Sequence, residues 1–288
     1  MMGRPPRTAA GAFGRVLAYL DRPTLAAWSG SSGLKLLLSR WYARLVGFPE
    51  LAAHQRFRPV QDLLRRHAGD TVLDLGPGNG LYSIADAIDR PSSAHLLADL
   101  SVRHMRRANE TGRALGLPVW GIACSAEALP FPSESVDTVL VIEVLQFVDN
   151  DEAAINELAR VLRPGGVWVC EQENPPPGAA LEWTAEARLR RRRTGYTPQA
   201  LRELAAGAGL ELEQSRMVSG RIGRRWESFD GRLFRKSRGL HLLLFPIVRL
   251  LAWLSTPTPV GGEPGTVLYL FRKLGGGAPS RPRRPLPS

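Results

Sequence analysis

The chain has 288 residues, 44% of them hydrophobic, with 38 Lys and Arg against 27 Asp and Glu and a formal net charge of +11. That apolar content suffices for one substantial core, so an intrinsically disordered chain is excluded. Two cysteines, Cys124 and Cys170, are too few for a disulfide framework; both lie in apolar runs, the setting of reduced, buried thiols in the cytoplasm.

Charge is unevenly spread along the sequence. Residues 71–173 carry 15 Asp and Glu against 7 Arg, whereas residues 1–70 and 183–249 are strongly basic. An acidic middle suits a cationic ligand and basic flanks suit an anionic partner. Only three lysines occur (Lys35, Lys236 and Lys273), so a coding bias toward Arg, Ala, Gly and Pro accounts for the excess as well as a partner does. The basic start leads into a short apolar stretch broken by Arg15, which is not the pattern of a signal peptide.

Within residues 1–70, Leu34, Leu37, Leu38, Trp41, Leu45 and Val46 share one helical face while Lys35, Arg40 and Arg44 lie mostly off it, which predicts a helical cap. From 71 to 173 short apolar runs alternate with longer amphipathic stretches, the pattern of strand–helix–strand units and a parallel sheet. Strands are predicted at 71–75, 94–99, 119–124, 136–142 and 166–172. Helices fit between them at about 80–89, 102–115 and 151–162, the last stopped by Arg163-Pro164-Gly165-Gly166. A further helix opens at Thr197-Pro198, with Thr as N-cap and Pro in the first turn, and ends near Gly207 or Gly209. Residues 210–217 and 266–271 supply strands six and seven. Between them, the apolar segment 240–254 contains His241, Pro246 and Arg249 and is too short and too polar for a membrane span. The expected organisation is a helical cap over 1–70, an α/β domain over 71–273 with a helical insertion at about 218–262, and a Gly-, Pro-, Arg- and Ser-rich disordered tail over 274–288.

One stretch carries chemistry. Val72-Leu73-Asp74-Leu75-Gly76-Pro77-Gly78-Asn79-Gly80 is an apolar strand running into a glycine-rich turn and then a helix. Glycine is needed where the backbone turns tightly and approaches a ligand with no Cβ between. Gly-x-Gly-x-x-Gly loops serve nicotinamide cofactors, but the spacing here is Gly-x-Gly-x-Gly, and Asp74 ahead of it would repel a pyrophosphate and attract an ammonium. Leu96-Leu97-Ala98-Asp99-Leu100 ends in an acid about twenty residues further on, placed as a ribose-diol contact requires. Cys124-Ser125-Ala126-Glu127-Ala128-Leu129-Pro130-Phe131 and Arg160-Val161-Leu162-Arg163-Pro164-Gly165-Gly166 follow in order.

Taken together, these pieces resemble class I S-adenosylmethionine-dependent methyltransferases of the broad small-molecule group, over residues 71–173 and in outline beyond. The resemblance implies a Rossmann-like, seven-stranded, mostly parallel sheet whose last strand is antiparallel, with helices on both faces. It implies S-adenosyl-L-methionine as cofactor: Asp74, Gly76, Gly78 and Gly80 at the methionine end, Asp99 at the ribose, Leu100 on one adenine face, and Ser125 with Ala126 at the adenine edge. The group usually has Asp at position 125; serine there weakens the contact without changing the fold. No metal is called for.

Methyl transfer from a sulfonium is a direct displacement, so no universal catalytic residue is required. A base helps with hydroxyl or acidic carbon acceptors, and Glu143, just past strand four, is the candidate, ahead of Tyr82 and Glu171, which suit packing or surface roles better. His104 is expected to face solvent. The run Arg188 to Arg193 suggests nucleic acid. However, strand four continues into Ile142-Glu143-Val144-Leu145-Gln146-Phe147, without the Asn/Asp-Pro-Pro-aromatic motif of the amino-directed enzymes, and Asn174-Pro175-Pro176-Pro177 follows strand five. A small, hydrophobic or lipid-like acceptor is the expectation, with the arginine-bearing amphipathic flanks serving as a lid or touching an anionic membrane. A nicotinamide-dependent oxidoreductase and a non-catalytic binding protein of the same fold are the competing readings.

Overall fold

A computed structural model describes residues 51–78, 80–175, 195–255 and 265–275. The run Arg188 to Arg193 and the face from Leu34 to Val46 lie outside the described residues, as do most of the C-terminal tail and Asn79. In chain order the elements are α1 (Leu51–His67), β1 (Thr71–Leu75), α2 (Leu81–Asp89), β2 (Ala94–Asp99), α3 (Val102–Leu115), β3 (Val119–Ala123) and β4 (Val136–Ile142). After a single 3-10 turn at Leu145–Phe147 come α4 (Asp151–Val161), β5 (Leu162–Asn174), α5 (Pro198–Gly207), β6 (Leu210–Ser219), α6 (Arg221–Lys236), α7 (Arg238–Ser255) and β7 (Gly265–Lys273).

The seven strands form one sheet in the order β3-β2-β1-β4-β5-β7-β6. Pairings from β3 through β5 are parallel, and β7 runs antiparallel to both β5 and β6. The sheet is therefore the Rossmann-like arrangement expected, and its strand order reverses between β1 and β4, where open α/β sheets place their ligands. Strands buried on both faces read as continuous apolar runs. In β4, Thr138, Val139 and Leu140 are all fully buried.

Helices cover both faces. On one, Val60 and Leu64 of α1 pack over Leu140, Val167, Val169 and Leu268, while Ile84, Leu97 and Met105 tie α2 and α3 to the sheet. On the other, Leu158 of α4 and Leu201 and Ala205 of α5 meet Leu73, Val139, Trp168 and Cys170. Each such aliphatic side chain, fully removed from water, contributes about 1.5–3 kcal/mol before chain entropy is charged against it. Local signals set the helix starts: Ser101, Asn150 and Thr197 each accept a hydrogen bond from the backbone N–H three residues on.

The helix stop expected before Arg163-Pro164-Gly165-Gly166 is found, but the start of β5, expected at 166, is corrected. Helix α4 ends at Val161, and those four residues lie within β5, which starts at Leu162 opposite Val136 and shifts register before Val167 pairs Thr138. Proline is tolerated at such an irregularity because the regular ladder is already broken there. Segment 240–254 belongs to one helix, α7, with Pro246 inside it. No described helix is long and apolar enough to cross a membrane.

Candidate active site

Strand β1 delivers the glycine loop to the switch point. Gly76, Gly78 and Gly80 have φ of 63°, 54° and 72°, the left-handed region that strains every L side chain. At Gly76 the space is also taken: a Cβ would stand 2.5 Å from Val144 Cγ2. At Gly78 a Cβ would meet no heavy atom of the other described residues within 4 Å, space that a ligand could take. Gly80 caps α2 with no side-chain hydrogen bond, leaving the helix start to the backbone alone.

Asp74 is 2% exposed and accepts a hydrogen bond from Ser83 Oγ at 2.5 Å. Burial pushes its carboxyl up to about 7, partly opposed by Ser83 and reinforced by Asp99. A cationic group above the loop would favour the ionised form. Asp99 closes β2; its Oδ1 accepts from Ser101 N at 2.8 Å, and His104 Nδ1 lies 3.7 Å from its Oδ2. His104 thus leans toward Asp99 and is half-buried, a correction to the solvent-facing expectation. Leu100 is 78% exposed beside Asp99, an apolar plate. Ser125 and Ala126 follow β3; Ser125 Oγ already accepts from Glu127 N at 3.2 Å, leaving one lone pair and its proton for another partner.

Glu143, first residue beyond β4, has φ of 54°, one of two described non-glycine residues with positive φ. Backbone strain of about 1–3 kcal/mol at a strand end is a recurrent mark of functional positions. Two contacts hold it: its N–H donates to Glu171 O at 3.1 Å, and Arg56 Nη1 lies 3.0 Å from its Oε2. The same guanidinium nitrogen is 3.3 Å from Glu171 Oε2. Glu171 has no exposed side-chain surface, its Oε1 has no hydrogen-bond partner among the described residues, and burial pushes its carboxyl up to about 8 against the pull of Arg56. Helix α6 adds Arg224, paired with Glu173, and Glu227, whose carboxyl burial also raises. Beyond the strand ends there is thus a partly buried polar cluster of two guanidiniums among four carboxyls, with Glu171 at its buried centre.

Several of these residues give no signal in sequence. Arg56 is one of many arginines, and it meets Glu171 across 115 positions of chain. Gln146 does leave a trace, a lone amide in the apolar run Val144-Leu145-Gln146-Phe147-Val148. It sits in the turn after β4, 1% exposed, and neither amide atom has a hydrogen-bond partner among the described residues. Tyr82 stacks on Phe57 at 6.3 Å and serves packing of α1 on α2. Asn174 ends β5 with its Oδ1 accepting from Tyr269 OH at 2.9 Å, which occupies the side chain structurally.

The arrangement is that of a class I methyltransferase domain: a Gly-x-Gly-x-Gly loop after β1, an acid after β2, and antiparallel β7 inserted between β5 and β6. Residues 73–170 match the family described as "Methyltransferase domain". An uncharacterized protein of Mycobacterium tuberculosis is 39% identical over 99 residues, covering 34% of this chain and 35% of the relative. The demethylmenaquinone methyltransferase of Thermus thermophilus is 32% identical over 124 residues, 43% of this chain and 56% of that one. The chain thus spans between about a third and just over half the length of these curated relatives. Among solved structures, a geranyl diphosphate C-methyltransferase from Streptomyces coelicolor, in complex with Mg2+, geranyl diphosphate and S-adenosyl-L-homocysteine, superposes with a TM-score of 0.56 at 18% identity, over 93% of this chain and 100% of that one. That likeness establishes the fold.

Proposed function

We propose that the protein is an S-adenosylmethionine-dependent methyltransferase acting on a small, hydrophobic or lipid-like acceptor. The observation that carries the reading is the loop itself. Three left-handed glycines end β1 at the switch point, with space above Gly78 and with Asp99 and the bare Leu100 on the neighbouring strand. Residues present fit the cofactor: Asp74 would set negative charge under the methionine end, the backbone at Gly76, Gly78 and Gly80 would hold it, and Asp99 would accept from the ribose hydroxyls. Leu100 would cover one adenine face, and Ser125 with Ala126 would meet its edge. Asp74 beneath the loop also weighs against the pyrophosphate of a nicotinamide cofactor.

When bound, the cofactor supplies an electrophilic methyl group on a sulfonium. The chain's part is to align the nucleophile and exclude water. Glu143, at the mouth of the loop, is the base for a hydroxyl or acidic carbon, oriented by Arg56. Gln146 offers both a donor and an acceptor to the incoming group. The name of the Thermus relative supports an apolar acceptor. In the proposed organisation α1 is the described part of the N-terminal cap, and α6 with α7 is the helical insertion.

Titration of the purified chain with S-adenosylmethionine and S-adenosylhomocysteine tests the cofactor assignment, and the absence of any heat or fluorescence change would end it. Transfer of labelled methyl into the lipid fraction of a cell extract tests the acceptor class. Label appearing only in water-soluble products rejects the lipid-like acceptor. Binding without any transfer selects a non-catalytic binding protein, the reading that Ser125 in place of Asp supports.

A further inference from the structure

Helices α6 and α7 form a hairpin packed on α1. Its inner side is fixed: Asp230 accepts from Leu51 N at 3.1 Å and lies 2.8 Å from His241 Nε2, and Phe245 and Ala252 are buried against Leu51. Its outer side is unlike that of a helix facing water. Along α7, Leu240, Leu243, Ile247, Leu250 and Leu254 recur every three or four residues on one exposed face, Leu243 at 72%, with Trp253 beside them at 74%. Isolated exposed apolar residues are ordinary, but a contiguous helical face of them marks an interaction surface.

Charge identifies the partner. Arg221, Arg225, Arg232, Arg235 and Lys236 are all exposed on α6, and Arg238 and Arg249 are exposed on α7 itself. The two acids of the hairpin, Glu227 and Asp230, both turn inward, so no carboxyl is exposed alongside the basic residues. An apolar stripe flanked by arginines is the surface of a helix lying in the plane of an anionic bilayer, its leucines in the acyl boundary and its guanidiniums on lipid phosphates. A twofold pairing with a second copy would instead set two cationic rows side by side. We propose that the outer face of the α6–α7 hairpin docks the protein on the surface of an anionic membrane. This holds whether or not the methyl acceptor is itself a lipid.

Flotation of the full chain with phosphatidylcholine vesicles, with and without phosphatidylglycerol, at low and high salt, tests the proposal. The expected result is co-flotation with anionic vesicles that weakens in high salt. The combined Leu243→Glu and Leu250→Glu change should lower the bound fraction about tenfold or more, and Arg232→Glu with Arg235→Glu should remove the preference for anionic lipid. S-adenosylhomocysteine affinity, read on the same preparations, should be unchanged, which shows that the variants are folded. A wild-type chain that stays unbound with anionic vesicles overturns the proposal, as does binding that the leucine changes leave intact. A dimer that the leucine changes dissociate, without vesicle binding, assigns the face to a second copy and equally overturns it.

Discussion

Gly76 and Gly78 share a left-handed backbone but differ in what surrounds them, and the difference separates stability from binding. Gly76→Ala brings a methyl group against Val144 in addition to a strained φ, so it should cost more than the roughly 1–2 kcal/mol of strain alone. Gly78→Ala adds only the strain, yet its methyl group points into the space assigned to the cofactor. Urea unfolding should therefore rank Gly76→Ala as the less stable variant, while calorimetry with S-adenosylmethionine shows weakened binding in Gly78→Ala beyond its loss of stability. Equal unfolding midpoints would contradict the steric argument. Asp74 makes a second prediction at this scale. Its carboxyl is raised to about 7 and a cation above it would lower it, so binding releases a proton and affinity rises with pH through that value. Cofactor should bind about tenfold more tightly near pH 8 than near pH 6, and Asp74→Asn should flatten the dependence. A wild-type affinity independent of pH would show that Asp74 does not feel the ligand's charge.

At the scale of elements, Arg56 on α1 holds together the ends of β4 and β5 through Glu143 and Glu171. Arg56→Met strands a buried carboxylate and should cost about 3–5 kcal/mol near pH 8.5, with a smaller loss near pH 6.5, where Glu171 can take up a proton instead. Glu171→Gln should be the milder change, and unfolding at both pH values compares the two. These contacts also explain what could be seen in sequence. Strands β1, β2 and β4 are bounded by their own apolar runs and turn residues, and the loop glycines, Asp74 and Asp99 are tied to them at short range. The start of β5 is set by pairing with Val136, which overrides the local preference of Pro164 and the glycines to break structure. The cluster around Arg56 depends entirely on tertiary packing, so no local pattern announces it. Gln146 was within reach, since an amide inside an apolar run is conspicuous before any fold is known.

For the whole molecule, the raised acids govern stability near neutrality. Asp74 and Glu171 hold protons in the fold that they release when unfolded, so the native state binds more protons than the unfolded chain and stability falls as pH rises through about 7 and then about 8. Between pH 6.5 and 8.5 the ligand-free chain should lose roughly 2–3 kcal/mol, a fall in melting temperature of about 5–10 °C. Scanning calorimetry checks this, and a melting temperature that rises across the interval would reverse the sign of the argument.

The position of β7 also orders events in time. β6 is synthesised before β7, its sheet neighbour, while β5 waits with an open edge. The hairpin that separates β6 from β7 in sequence is likewise made before the sheet can close. Completion of the fold therefore depends on one late, non-local insertion, which is the slow kind of step and the one most exposed to misassembly. A nascent chain paused before residue 265 would carry the whole glycine loop and the hairpin, yet lack the strand that joins β6 to β5.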